Sequence, residues 1–267
     1  MDARTRGGNF GFHVRQFTET APWAPLIGLD AAGNTNYHLA YADKVRMVGL
    51  SYDAAIGPFS TGFEASYRRN TALASSTGPV AGDLAGREGA RGDTLHLIAN
   101  VQKGLTPTSF YDAGFAIAEL AYTKRLKTRS KAEMYAGVNN AAACPGGDKW
   151  TGCATDDSAS IALYVAPQWL QVMPGVDLDM PMYAQYGLYG NSATAAGGNN
   201  QGSLLYTLGL HALVQQKYHV TLQYNGFHGH HSGGLTSGPA GNFYTAGNGL
   251  SFLNDRNWVS LTFSTAF

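Results

Sequence analysis

Cys144 and Cys153 are the two cysteines of the chain, within Cys144-Pro-Gly-Gly-Asp-Lys-Trp-Thr-Gly-Cys153. Pro145, Gly146 and Gly147 favour a tight reversal. In an oxidising compartment the pair reads as a loop disulfide; the alternative is two free thiols. Closing so short a loop stabilises by about 2–3 kcal/mol at most. His228-Gly-His230-His231 sets three imidazoles close enough to share a transition metal. No acidic or thiol ligand adjoins them, and a solvated, glycine-rich loop is the plainer reading. Lys124, Arg125, Lys127, Arg129 and Lys131 form a cationic cluster suited to phosphate, or serve as an ordinary charged loop base. Covalent catalysis finds little support: there is no Gly-x-Ser-x-Gly elbow and no glycine-rich phosphate loop opening a helix. The sequence therefore implies no cofactor and no enzyme.

What could position these groups is a series of alternating segments. Ten can be read, near 9–17, 44–54, 59–69, 93–103, 111–123, 159–171, 177–189, 203–215, 218–228 and 257–267. Each approaches the ~9–11 residues with which a tilted strand crosses a bilayer. In the last, Val259, Leu261, Phe263, Thr265 and Phe267 share one side, and small, mostly polar residues take the other. Ending on an aromatic residue fits the closing strand of an outer-membrane barrel, so Val259, Leu261, Phe263 and Phe267 are read as a C-terminal assembly signal. Connections alternate strictly between short (near 55–58, 104–110, 172–176 and 216–217) and long (near 18–43, 70–92, 124–158, 190–202 and 229–256). Short periplasmic turns and long outer loops are the outer-membrane pattern. The fold class expected is all-β: an antiparallel transmembrane β-barrel of about ten strands, one domain over 1–267, with the C-terminus periplasmic.

Composition agrees. The chain is 13% charged, with 34 Gly, 15 Tyr and 12 Phe. Mean hydropathy is only −0.17, because alternation hides a barrel's signal. Formal net charge is zero, which argues against a nucleic-acid partner.

Lys44-Val-Arg-Met-Val-Gly-Leu-Ser-Tyr-Asp and Phe63-Glu-Ala-Ser-Tyr-Arg-Arg-Asn, followed by Arg91-Gly-Asp-Thr-Leu-His-Leu-Ile-Ala-Asn and Ala118-Glu-Leu-Ala-Tyr-Thr-Lys-Arg, resemble a proteobacterial outer-membrane family catalogued as domain of unknown function 1302. The resemblance runs from about residue 9 to the end. It implies a barrel roughly twice this length, of which this chain is the C-terminal portion. It also implies passage of hydrophobic compounds beside efflux-type or lipoprotein partners. It carries over no catalytic residues.

By alternation, Glu64, Arg68, His96, Asn100, Gln102, Glu119, Gln185, His211 and Gln223 face the lumen. Glu119 is placed inward because a carboxylate in lipid costs a few kcal/mol, which puts Phe115 and Ile117 inside with it. Pro167 lacks a ladder donor, so a bulge or weak pairing is expected there. The function expected is a porin-like channel for small hydrophobic solutes in a Gram-negative outer membrane. Its partners would be outer-membrane lipid, lipopolysaccharide (at the cationic cluster) and the barrel assembly machinery. The alternatives are a lipase- or protease-like barrel enzyme and a structural or adhesive surface protein. The first strand is expected not to pair fully with the last.

Overall fold

The computed structural model describes residues 7–23, 26–29, 34–75, 80–81, 88–195, 200–233, 235–238, 241–244 and 247–265. Eleven strands form one antiparallel sheet: β1 (Asn9–Phe17), β2 (Val45–Ile56), β3 (Phe59–Ala72), β4 (Arg91–Gly104), β5 (Ala113–Ser130), β6 (Asp157–Met173), β7 (Val176–Asp179), β8 (Met182–Tyr189), β9 (Leu204–Val214), β10 (Tyr218–His228) and β11 (Trp258–Thr265). Strand follows strand in chain order, with β7 and β8 both lying between β6 and β9. No helix of the described residues is long and apolar enough to cross a membrane.

The hairpin ends explain this order. Gly57 and Gly175 sit at left-handed φ of 57° and 77° in the tight turns after β2 and β6, a conformation that costs glycine nothing. Tight turns fix register, and register fixes which side chains share a face. One row runs His13–Gly49–Ser66–His96–Thr123–Ser158 across six strands. The row beside it on the same face contains Ser51, Glu64, Ile98, Ala121 and Ser160.

Two sequence expectations need correction. The segment 177–189 is two strands, interrupted at Met180 and Pro181. Pro181 has no N–H to give, although its carbonyl accepts from the Gly209 amide at 2.8 Å. Pro167 stays in register with Gly114 on one side; on the other, Ala166 and Pro167 face this break, between the Gln168–Asp179 and Val165–Met182 pairs, which is the weak pairing expected at Pro167. Finally, β5 runs on to Ser130, so Lys124, Arg125, Lys127 and Arg129 belong to a strand and not to the loop after it.

The sheet's two outer strands are β1 and β11, and no ladder joins them among the described residues. This agrees with the expectation that the first strand does not pair fully with the last.

The fully packed core lies at the long-loop end. One cluster gathers Trp23, Ala40, Ala42, Val45 and Ala72; a second gathers Leu73, Ala90, Tyr135, Ala154 and Ala193. Most of these residues belong to connections, so the long loops fold onto one another as a cap. Smaller pieces decorate it: Leu26–Leu29 pairs with Thr35–His38 and with Val80–Ala81, and Leu235–Gly238 pairs with Gly241–Tyr244.

Candidate functional site

The two faces of the sheet differ in chemistry. One carries Phe10, Phe12 and Val14 on β1, Val48 and Leu50 on β2, Leu208 and Leu210 on β9, and Val259, Leu261 and Phe263 on β11, all exposed. The exposure reaches 85% at Phe10 and 72% at Leu261, far from anything water would favour in so continuous a band. Phe267 lies outside the described residues. The other face holds all nine residues expected to line a lumen. Asn100 pairs with Glu119, Glu119 with Ala162, and Ala162 with Gln185 in one row. Glu64, Arg68, His96, Gln102, His211 and Gln223 fall on the same side by register.

Several of these polar groups engage one another. His96 bridges two hydroxyls, with Thr94 Oγ1 2.9 Å from Nε2 and Thr123 Oγ1 3.2 Å from Nδ1. Tyr183 donates to Gln185 Oε1 at 3.0 Å, and Gln223 donates to Asn225 Oδ1 at 2.7 Å. Gly62 lacks a Cβ where one would come within 2.7 Å of Asn100 Oδ1, so the amide lies over the bare backbone. Glu64 and Arg68 form no ion pair with each other, as their spacing along one strand implied. The Arg68 Nε is buried with no hydrogen-bond partner among the described residues. With His13, Arg15, Ser51, Glu64 and His96, Arg68 borders a recess of about 420 Å³ at the β1 side of the polar face.

Sequence reasoning missed two constellations here. On β7 and β9, Asp179 Oδ1 lies 2.5 Å from His211 Nδ1. His211 Nε2 in turn lies 3.0 Å from His219 Nδ1, with the two rings stacked at 10°. The rule that placed Glu119 inward would also have turned Asp179 inward, but only register sets it against His211. Near β1, His13 Nε2 lies 3.3 Å from Ser51 Oγ. No carboxylate reaches the other nitrogen of that ring among the described residues, so the pair lacks the group that would orient a general base.

Aromatic and apolar groups interrupt the polar face. Ile117, Tyr164 and Tyr183 form a row over β5, β6 and β8. The Phe115 ring stands 5.3 Å from that of Tyr164.

The cap sits on the long-loop end of this polar face. Leu73 packs over Gly92, where an added Cβ would come within 2.6 Å of Leu73 Cδ1. Arg125 points to the same side, with its guanidinium 4.6 Å from the centre of the Tyr135 ring and bonded to Asp156. Burial raises the Tyr135 phenol above its ordinary pKa, and the Arg125 charge opposes that rise. The segment after β3 bonds to the segment after β8: Ala74 N donates to Ala193 O at 2.8 Å, and Ala195 N to Ala72 O at 3.0 Å. In a flat sheet β3 and β8, four positions apart, would lie about 19 Å from each other. The connections therefore reach across the polar face to meet. Trp23, from the first long connection, joins them by donating Nε1 to Leu73 O at 3.0 Å.

Buried amides lock the remaining loops. Asn191 donates to Lys149 O at 2.7 Å and to Cys153 O at 2.8 Å. Asn248 donates to Asn191 Oδ1 at 3.0 Å and to Gln201 O at 2.9 Å. The disulfide Cys144–Cys153 closes this part of the cap, with Cα atoms 5.8 Å apart and Cys153 fully buried. The His230 ring lies tilted against that of Trp150, with ring centres 4.6 Å apart and planes at 55°. Among the described residues no three His, Cys, Asp or Glu side chains gather as a metal site, so His228, His230 and His231 are not brought together as one.

The cationic cluster divides. Lys124 pairs with Leu95 and lies on the apolar side; Arg125 pairs with Thr94 on the polar side. A bulge between Asp93 and Thr94 then resets the alternation. Lys127 comes within 4.0 Å of Asp93, and Arg129 grips the same carboxylate through Nε at 2.5 Å and Nη2 at 2.6 Å. Asp93 is almost wholly buried and also accepts from Tyr67 at 2.7 Å. Lys131 instead donates to Glu88 O at 2.7 Å within the cap.

The family described as protein of unknown function, DUF1302, matches residues 2–267. No curated protein and no solved structure matches the chain.

Proposed function

The chain belongs to the DUF1302 family, and from that premise we propose that it forms barrel wall in a Gram-negative outer membrane and passes small hydrophobic solutes. The apolar face meets lipid and the polar face meets a water-filled lumen. The short turns and the C-terminus are periplasmic, and the cap lies outside. In lipid every backbone group must be paired, so β1 and β11 find partners there, in each other or in further strands. The assembly machinery takes hold of β11. Outer-leaflet lipopolysaccharide meets Lys124, Lys127 and Arg129, and solutes arrive from or leave to efflux-type or lipoprotein partners. No cofactor and no covalent chemistry are involved.

One observation carries this reading: a continuous exposed apolar face stands opposite a face holding all nine polar side chains. Water on both sides would make the first face an aggregation surface; lipid on one side makes it the favoured arrangement. The row of Ile117, Tyr164 and Tyr183 gives a hydrophobic solute a surface within an otherwise polar lumen, and the cap limits access to it.

The test is uptake of a fluorescent fatty acid or polycyclic hydrocarbon into liposomes holding the reconstituted protein. Uptake is expected to exceed that of protein-free liposomes and to fall when Tyr164 and Tyr183 are both changed to Ala. Uptake no faster than in the empty liposomes, with the protein demonstrably inserted, would overturn the transport reading.

A second reading, hydrolysis at the outer surface, rests on the Ser51–His13 contact. Ester hydrolysis by the purified protein that disappears in Ser51→Ala, with solute uptake unchanged, would favour it.

A further inference from the structure

On the apolar side of the sheet, at its long-loop end, Lys44, Arg46, Arg69, Asn70 and Arg129 enclose a recess of about 260 Å³. Four of the five residues are cations and none is a carboxylate. Arg46 and Arg69 are direct register partners across β2 and β3. Like charges placed directly opposite each other on neighbouring strands destabilise a sheet, and little among the described residues relieves this pair. Arg46 donates Nε to the neutral Gln16 Oε1 at 3.1 Å, and Arg69 makes no hydrogen bond or ion pair among the described residues. Arg129 is held from behind by the buried Asp93. Lys44 stands 3.8 Å from Asp43, whose carboxylate is also engaged by Arg91 at 2.9 Å. The next row on the same face is apolar: Val14, Val48, Tyr67 and Leu95.

We propose that this recess binds the phosphate monoester of an outer-leaflet glycolipid, with Arg46 and Arg69 as its principal ligands. Guanidinium groups take phosphate oxygens in bidentate fashion, and an anion between Arg46 and Arg69 turns their repulsion into attraction. Asn70 adds an amide donor. Other phosphates share the headgroup's chemistry, but the neighbouring apolar row distinguishes the lipid: the headgroup seats among the cations while its acyl chains run down past Val48 and Leu50. The site shares only Arg129 with the lipopolysaccharide contact at Lys124 and Lys127, and its principal ligands are different residues. It rests on the membrane reading above.

The experiment measures lipid retention by native mass spectrometry of the detergent-solubilised protein, titrated with bisphosphorylated lipid A, its dephosphorylated counterpart or inorganic phosphate. The wild type is expected to hold bisphosphorylated lipid A at least tenfold more tightly than the dephosphorylated form. Arg69→Gln, which breaks no bond among the described residues, should abolish most of that preference. Arg46→Gln/Arg69→Gln should abolish all of it, and Arg69→Lys should keep part. A preference unchanged in Arg69→Gln would overturn the site. Inorganic phosphate displacing the lipid at equal concentration would overturn the lipid as its source. Insertion into vesicles is scored separately by strand content and protease protection. A wild type that does not insert overturns the membrane reading and the site with it, whereas an inserted protein without the preference overturns the site alone.

Discussion

Leu208 and Thr207 are neighbours on β9 that meet opposite surroundings. Leu208 is 51% exposed on the apolar face, while Thr207 pairs with Tyr183 and Asn225 on the polar one. An arginine in lipid near the bilayer midplane costs about 2–4 kcal/mol, and one in the lumen costs far less. Leu208→Arg is therefore expected to fold into liposomes in markedly lower yield than Thr207→Arg, measured as the protease-resistant fraction. Equal yields would contradict the assignment of faces. At this scale much was legible, because a period of two leaves each residue only two choices and carboxylates exclude one of them. Glu119 was placed that way. The partner of His211 was not, because Asp179 lies on another strand and only register reveals that the two meet. The face of Lys127 was equally hidden: plain alternation from Lys124 would have turned it inward, and the bulge at Asp93 turns it outward.

Elements joined by tight turns were readable nearly end to end, since Gly57–Pro58 and Pro174–Gly175 announce themselves in the sequence. The interruption at Met180–Pro181 is hidden from alternation along its own segment; it shows only across the ladder, where Met180 and Pro181 lie opposite Ala166 and Pro167. The cap was illegible for a different reason. Its segments are short, rich in glycine and amides, and without period, and what joins them is contact between residues far apart in sequence. Gly92 is one seat of that contact. A methyl group there would come within 2.5 Å of Lys127 O and 2.6 Å of Leu73 Cδ1. Overpacking of this kind costs about 1–3 kcal/mol. Gly92→Ala is expected to loosen the cap and the adjoining end of the β4–β5 ladder, seen as faster proteolysis within 131–156, with the other strands left protected. The Cys144–Cys153 bridge acts on the same element: its reduction should speed cleavage of that loop and leave strand content by circular dichroism unchanged. Loss of strand signal on reduction would mean that the cap holds the sheet together.

At the scale of the whole molecule the sheet presents two edges, β1 and β11, whose outer hydrogen-bonding groups have no ladder partner among the described residues. Unpaired strand edges seek other strands. Held in detergent by itself, the chain is expected to oligomerise through β1 and β11, with light scattering reporting masses above that of one chain. A monodisperse monomer whose β1 and β11 amides resist hydrogen exchange would show that the two edges pair with each other. The sequence could foresee open edges from the strand count and the polar interior. It could not foresee that the connections would fold across the polar face, because that depends on β3 and β8 coming together from four positions apart.

The joint between the later loops is made from amides. Asn191 and Asn248, 1% and 0% exposed, are neither acids nor bases, and a bond between two carboxamides carries no net charge to be screened by salt. Ion pairs respond to changes in acidity and salinity. Asn191–Asn248 should be indifferent to them: hydrogen exchange at residues 190–192 and 248 should show the same protection factor in dilute and concentrated salt and on either side of neutral pH.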